Sequence, residues 1–207
     1  ETIFMMRTQY DGIFADNKSV YTKDSNGNYR LLDPMTSKLS AALHKKLKQT
    51  FLQEGNVVLY LGASTGTTVS HVSDIVGENG FIFAVEISPT VCRELVFLAE
   101  ERQNIAPILA DANQPQLYAD KIGVADWLYQ DIAQKNQIEI FIKNLQFLKK
   151  NSYAFLVIKA RSVDVTKEPK EVFNDVRTQL QQQLEIIQEI NLAPYKKDHC
   201  LFVARKK

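Results

Sequence analysis

Cysteine is scarce in this chain: of 207 residues only Cys92 and Cys200 carry thiols, far apart in sequence and each in an apolar context. That excludes a disulfide-stapled framework, and both are expected as reduced core residues. Histidine is as thin, with His44, His71 and His199 dispersed along the chain. No Cys/His set has metal-ligand spacing, so no metal is expected. No apolar run reaches the length of a bilayer span, and no charged-then-apolar leader opens the sequence; no membrane partner and a cytoplasmic location are the expectation. Asn17-Lys18-Ser19 matches a glycosylation acceptor and is read as chance. An excess of one charge is missing too: 25 Lys and Arg face 24 Asp and Glu, for a formal net charge of +1. Proteins that hold nucleic acid unaided carry a basic excess, because neutralised phosphates supply most of the non-specific affinity. This chain is a poor stand-alone binder of nucleic acid.

What is present is a change of texture. Residues 1–33 read as a small β module of short strands, among them Ser19-Val20-Tyr21 and Tyr29-Arg30-Leu31-Leu32, with Asn26-Gly27 as a hairpin turn. Leu39, Leu43 and Leu47 fall at helical spacing and predict a core-packed helix over 37–51. From Val57 strands alternate with helices: strands at Val57–Leu61, Phe81–Val85, Pro107–Ala110, Ala125–Tyr129 and Tyr153–Ile158, helices near 68–76, 89–102, 138–147 and 169–183. Leu184–Glu189 and Leu201–Ala204 supply the last strands. Alternation of this kind predicts an α/β domain over 34–207, a mostly parallel sheet with helices on both faces.

The sharpest local signal is Leu59-Tyr60-Leu61-Gly62-Ala63-Ser64-Thr65-Gly66-Thr67-Thr68, a strand, a glycine-bearing turn and a helix start. That geometry lets backbone N–H groups approach a ligand. The full dinucleotide fingerprint is not met, since Ser64 and Thr67 stand where its later glycines belong. The next strand ends in Glu86, whose carboxylate can accept hydrogen bonds from both hydroxyls of a ribose. The third ends in Ala110-Asp111-Ala112, an acidic group for an exocyclic adenine amine, and Asp131 follows the fourth. Carboxylates also cap helices and sit in loops, but three at consecutive strand ends make a pattern. Gly62-Ala63-Ser64-Thr65-Gly66 is also G-x-S-x-G, so a serine hydrolase using Ser64, an Asp and His199 is the alternative. Against it, no earlier strand–loop segment is present to donate an oxyanion N–H. Lys159, directly after an apolar strand, is expected to be desolvated, which lowers a lysine pKa and lets a neutral amine accept a hydroxyl proton; a snorkelling lysine at a sheet end is the other reading. His199 opens the last strand and is open to a structural or a catalytic role. His44 and His71 read as helix-surface residues.

Together these segments resemble archaeal fibrillarin, from about Tyr29 to Arg205. The specific pieces are Ser37-Lys38-Leu39, Leu59–Asp74, Asp131-Ile132-Ala133-Gln134, Ile158–Pro169 and Pro194–His199. The resemblance implies a Rossmann-like class I methyltransferase fold and an enzyme that methylates ribose 2′-oxygens of ribosomal and transfer RNA, converting S-adenosylmethionine to S-adenosylhomocysteine. It implies cofactor contacts at the Gly62-Ala63 turn, Thr67-Thr68, Glu86-Ile87, Asp111-Ala112 and Asp131-Ile132-Ala133-Gln134, and a catalytic group of Lys38, Asp131, Lys159 and His199. Within that group Asp131 would hold Lys159 while Lys38 steadies a phosphate or the developing oxyanion. It also implies a ribonucleoprotein with a C/D box guide RNA, a Nop-domain scaffold protein and a kink-turn-binding ribosomal protein. A catalytically silent subunit of that particle is favoured if the cofactor pocket is blocked. The chain departs from the family pattern at Thr36, where an arginine is usual, and at Lys135-Asn136, where a Pro-Asp is usual.

The basic residues available to RNA (Lys38, Lys159, Arg161, Lys167, Lys196, Lys197) are dispersed and form no aromatic-and-basic ladder. The expected outcome of filter binding at physiological salt is therefore a dissociation constant weaker than about 10⁻⁷ M for the chain alone. Tighter binding, or site-specific methylation without guide RNA, would contradict it.

Overall fold

The computed structural model describes residues 5–207, so the first four residues of the N-terminal module expected over 1–33 lie outside the described residues. Four short strands, β1 (Met6–Arg7), β2 (Ile13–Ala15), β3 (Val20–Lys23) and β4 (Tyr29–Leu31), pair antiparallel in sequence order. The β3–β4 turn closes as the Asn26-Gly27 dipeptide predicts: Gly27 has φ 86°, and the Asp24 carboxylate accepts the Asn28 N–H at 2.8 Å.

Helix α1 (Lys38–His44) follows, capped by Ser37, whose hydroxyl accepts the Ser40 N–H. It is half the expected length. Lys46 takes φ 64° and Phe51 φ 55°, left-handed positions that break the helix, yet Leu47 and Leu52 on the irregular stretch beyond are still buried. Hydrophobic spacing recorded burial there, not helix.

The second unit is β5 (Val57–Leu61), α2 (Thr67–Val76), β6 (Phe81–Glu86), α3 (Pro89–Glu101), β7 (Ile105–Leu109), β8 (Ala125–Asp131), α4 (Gln137–Asn144), β9 (Leu148–Lys159), α5 (Ala160–Val163), α6 (Pro169–Leu180), β10 (Leu184–Asn191) and β11 (His199–Lys206). Local chemistry explains several boundaries. Ser88 caps α3 with Pro89 in its first turn, and α6 opens on a Glu168/Glu171 capping box with Pro169 behind it. The seven strands lie in the order β10-β11-β9-β8-β5-β6-β7; β9, β8, β5, β6 and β7 are parallel, while β11 runs antiparallel to β9 and to β10. Strands β5 and β8 are neighbours whose chains continue to opposite sides, so the order reverses between them.

Side chains alternate across the sheet and feed two cores. Tyr60, Trp127, Tyr129, Phe155, Val157 and Leu201 pack with α1 and α2; Leu61, Leu128, Leu156, Ile158 and Phe202 pack with α4 and α6. Cys92 and Cys200 are both free and buried, and burial pushes the Cys200 thiol up to about 12. Among the described residues no helix is long and apolar enough to cross a membrane.

One buried carboxylate joins the small sheet to the large unit. The Asp74 side chain on α2 is fully inaccessible and accepts from Arg30 of β4 (2.6 Å), Arg102 at the end of α3 (2.7 Å) and the Thr22 hydroxyl of β3 (2.6 Å). His71, expected on the helix surface, is instead buried against Thr22, with Nδ1 2.7 Å from its hydroxyl. Four short strands bury too little alone, so α2 presents this histidine to β3 and not to water. Burial lowers its pKa to about 4, helped by Arg30 and Arg102 and opposed by Asp74.

The unfolded histidine titrates near 6.5, so between that pH and about 4 the unfolded state alone binds the proton and stability falls as pH falls. Urea unfolding is expected to show wild type losing on the order of 2–3 kcal/mol across this window relative to His71→Asn. Parallel profiles for the two proteins would refute it.

Candidate functional site

The reversal at β5 and β8 makes the loops that follow them diverge, and a cleft of about 270 Å³ opens between them at the carboxyl edge of the sheet. Gly62 leaves β5 with φ 77°, and an added Cβ would collide with the Asp131 carbonyl and with Ile132, so only glycine lets the two loops meet. Gly66, at φ 92°, starts α2 against the Leu98 side chain.

Gly62, Glu86, Ile87, Asp111, Ala112, Asp131, Ile132, Ala133 and Gln134 line the cleft together with Ser64, Val85, Ala110 and Ile140. Ala63, Thr67 and Thr68 do not. Ala63 is buried beneath the turn, Thr67 is exposed on the first turn of α2, and the Thr68 hydroxyl donates to Ser37 at 3.1 Å. Glu86 is buried at the end of β6, where its two oxygens accept the Ser64 N–H (2.8 Å) and the Ser88 N–H (2.9 Å). It therefore braces the loops after β5 and β6 while facing the cleft. Asp111 accepts the Asn113 N–H at 2.8 Å.

Strand parity assembles a second group beside the cleft. Asp131 shares a face with Tyr129, Lys159 with Val157 and His199 with Leu201, and all three faces look toward α1. Lys159 and His199 are direct partners across the β9–β11 pair. Lys38, the first residue of α1, reaches over the sheet to Asp131, Nζ to Oδ2 at 2.5 Å. This corrects two expectations. Asp131 holds Lys38, not Lys159, because α1 lies over the end of β8; and Lys159 is exposed, not desolvated, because it stands past the last buried residue of β9. Its backbone N–H donates to Gln137 Oε1 at 3.2 Å.

His199 is half-buried. Its Nδ1 lies 2.6 Å from the Lys197 carbonyl, which can only accept, so Nδ1 carries the proton and a neutral ring keeps an acceptor at Nε2. Burial lowers its pKa; the Lys197 carbonyl opposes that, Lys38 and Lys159 assist it and Asp131 opposes it. Beneath the Lys38–Asp131 pair, the rings of Tyr60 and Tyr129 stack at 4.7 Å; burial and the Asp131 charge push both phenols far up, leaving a neutral floor.

Ser64 is exposed with φ 53°, as an elbow nucleophile would be, but its bond is the backbone N–H to Glu86, and His199 is turned to Lys197. The hydrolase arrangement is not assembled. A larger groove of about 910 Å³, between the β3–β4 turn and the ends of α2 and α3, lies at the opposite edge and holds none of these residues. Reading the residues in order missed Gln130 and Gln137, both fully buried behind the 131–134 loop. The available signal was the glutamine Gln130 directly before the strand-end Asp131.

The family model described as Fibrillarin matches residues 8–207. A Pyrococcus horikoshii protein named Fibrillarin-like rRNA/tRNA 2′-O-methyltransferase is 49% identical over 179 residues, 86% of this chain and 79% of that one. A solved structure titled as a fibrillarin/Nop5p complex aligns with TM-score 0.91 at 38% identity, covering 97% of this chain and 100% of the other. That of Aeropyrum pernix fibrillarin with natively bound S-adenosyl-L-methionine gives 0.90 at 36% identity, covering 99% of each chain.

Glu86→Ala removes the acceptor of two backbone N–H groups and is expected to lower the unfolding free energy by about 2–4 kcal/mol with no ligand present. Urea denaturation measures it; unchanged stability would mean that water takes over both donors.

Proposed function

Since the chain belongs to the fibrillarin family, we propose that it transfers the methyl group of S-adenosylmethionine to ribose 2′-oxygens of ribosomal and transfer RNA. The observation that carries this reading is the meeting of Lys38, Asp131, Lys159 and His199 at one sheet edge beside an open cleft whose walls carry Glu86 and Asp111.

The residues fit the cofactor. Glu86 and Asp111 are acceptors for ribose hydroxyls and an adenine amine, small residues fill the Gly62–Gly66 turn beside them, and Asp131 brings negative charge to the cleft rim. The cofactor supplies an electrophilic methyl on a positive sulfur, and S-adenosylhomocysteine remains after transfer. An open cleft also weighs against a catalytically silent subunit.

The chain's own groups have three tasks. Lys159, free of the Asp131 ion pair, presents its ammonium to the ribose oxygen as that oxygen loses its proton and gains charge. His199, neutral with Nε2 open, is the group suited to take the proton. Asp131 fixes Lys38 and offsets its charge, so the edge is not so positive that it repels a sulfonium. Positioning supplies much of the remaining acceleration.

The near-neutral charge balance supports a particle in which affinity and target choice come from elsewhere. In this reading a Nop-domain scaffold protein carries the enzyme, a role supported by the related fibrillarin/Nop5p complex. A C/D box guide RNA selects the nucleotide by base pairing, and a kink-turn-binding ribosomal protein completes the assembly. A cytoplasmic location belongs to the same reading, supported by two free, buried cysteines.

Methyl transfer from labelled S-adenosylmethionine to RNA, with and without scaffold and guide, tests the function; no transfer by the complete particle would defeat it. In that assay Lys159→Ala is expected to slow single-turnover transfer about a hundredfold, while calorimetry shows cofactor affinity within a few-fold of wild type. A parallel loss of affinity would move Lys159 from the reacting oxygen to the cofactor.

A further inference from the structure

We propose that Gln137 is a positioning residue for methyl transfer, setting how the strand end that carries Lys159 is held against the loop that lines the cofactor cleft. The proposal rests on the role given to Lys159 above.

Gln137 is fully buried at the start of α4, and its amide is used at both ends. Its Nε2 donates to the Gln134 carbonyl at 2.7 Å, and its Oε1 accepts the Lys159 N–H at 3.2 Å. Gln134 is the last residue of the Asp131–Gln134 segment that walls the cleft. One rigid amide thus spans the loop against the cofactor and the backbone that aims Lys159. A second buried amide holds the backbone that carries the first: Gln130 Nε2 donates to the Gln137 main-chain carbonyl at 2.6 Å.

The arrangement is not the one stability alone favours. Gln130 Oε1 is buried without a partner among the described residues, and an aliphatic side chain would fill the site with no orphaned acceptor. What the glutamines provide is direction. Lys159 is exposed and its side chain makes no ion pair among the described residues, so its place is set by its backbone, and Gln137 is the side chain that grips that backbone N–H. Lys135-Asn136 contains no proline to restrict the loop, and the amide adds a second bond to the one the Gln137 backbone N–H makes to the same Gln134 carbonyl at 3.3 Å.

The test is a double-mutant cycle in the reconstituted particle, reading single-turnover transfer of labelled methyl. Gln137→Met keeps length and volume and removes both hydrogen bonds; Gln137→Asn keeps the amide and loses the reach. With Lys159 present, either change should slow transfer about tenfold or more, with cofactor affinity within about threefold. In a Lys159→Ala background the same change should cost less than about twofold, because the group it positions is already gone. Equal losses in both backgrounds would make Gln137 a general structural or cofactor-loop residue and overturn the proposal. So would an unchanged rate with Lys159 present, or failure of both variants to fold at the assay temperature. An inactive wild-type particle would instead count against the proposed function itself.

Discussion

The close approach of Gly62 to the carbonyl of Asp131 is the constraint on which the site depends. Two parallel strands whose chains leave in opposite directions must open a crevice, but its width is set by how nearly their loops meet. A side chain at Gly62 would push the end of β8 outward, and Asp131 with it. Asp131 then anchors Lys38, so the placement of α1 over the sheet edge follows from the same contact. Glu86 repeats the pattern one strand away, with one carboxylate holding two loops by their N–H groups.

At the opposite edge a different interaction holds the N-terminal sheet. Asp74 is inaccessible and would be costly to bury as an isolated anion, yet it takes two guanidinium groups and a hydroxyl from three separate segments. Such a network stabilises only when complete, which makes it a means of specifying how the small sheet docks more than a source of net energy. The catalytic edge and this clamp share α2: its first turn begins at the glycine loop and its last turns carry His71 and Asp74.

The charge arrangement at the catalytic edge is uneven by design of the fold. Two lysines stand near one carboxylate, and helix placement gives that carboxylate to Lys38, leaving Lys159 outside the pair. His199 sits among all three and is kept neutral by burial and by the two cations. A neutral acceptor, a cation with no ion pair among the described residues and a paired one in one place suit a reaction in which an oxygen loses a proton next to a positive sulfur. The near-neutral balance of 25 Lys and Arg against 24 Asp and Glu fits the expectation of weak RNA binding by the chain alone.

Much of this was legible in the chain as written. The period-two and period-3.6 patterns after Val57, the Gly62–Gly66 turn and the carboxylates Glu86, Asp111 and Asp131 at successive strand ends are local features, and local chemistry decides them. The lengths of α1 and β9, the burial of His71, the pairing of Asp131 with Lys38 and the exposure of Lys159 were not, because each depends on what packs from a distant segment. Hydrophobic spacing in residues 37–51 correctly marked Leu39, Leu43 and Leu47 as core, but a left-handed turn at Lys46, closed by the Leu47 N–H on the Ala42 carbonyl, ended the helix at His44. Likewise the sequence alone placed Asp131, Lys159 and His199 at strand ends, and strand parity put them on one face. Which lysine the carboxylate takes, and how Gln137 ties that edge to the cleft loop, were decided only when helices α1 and α4 settled on opposite faces of the same sheet.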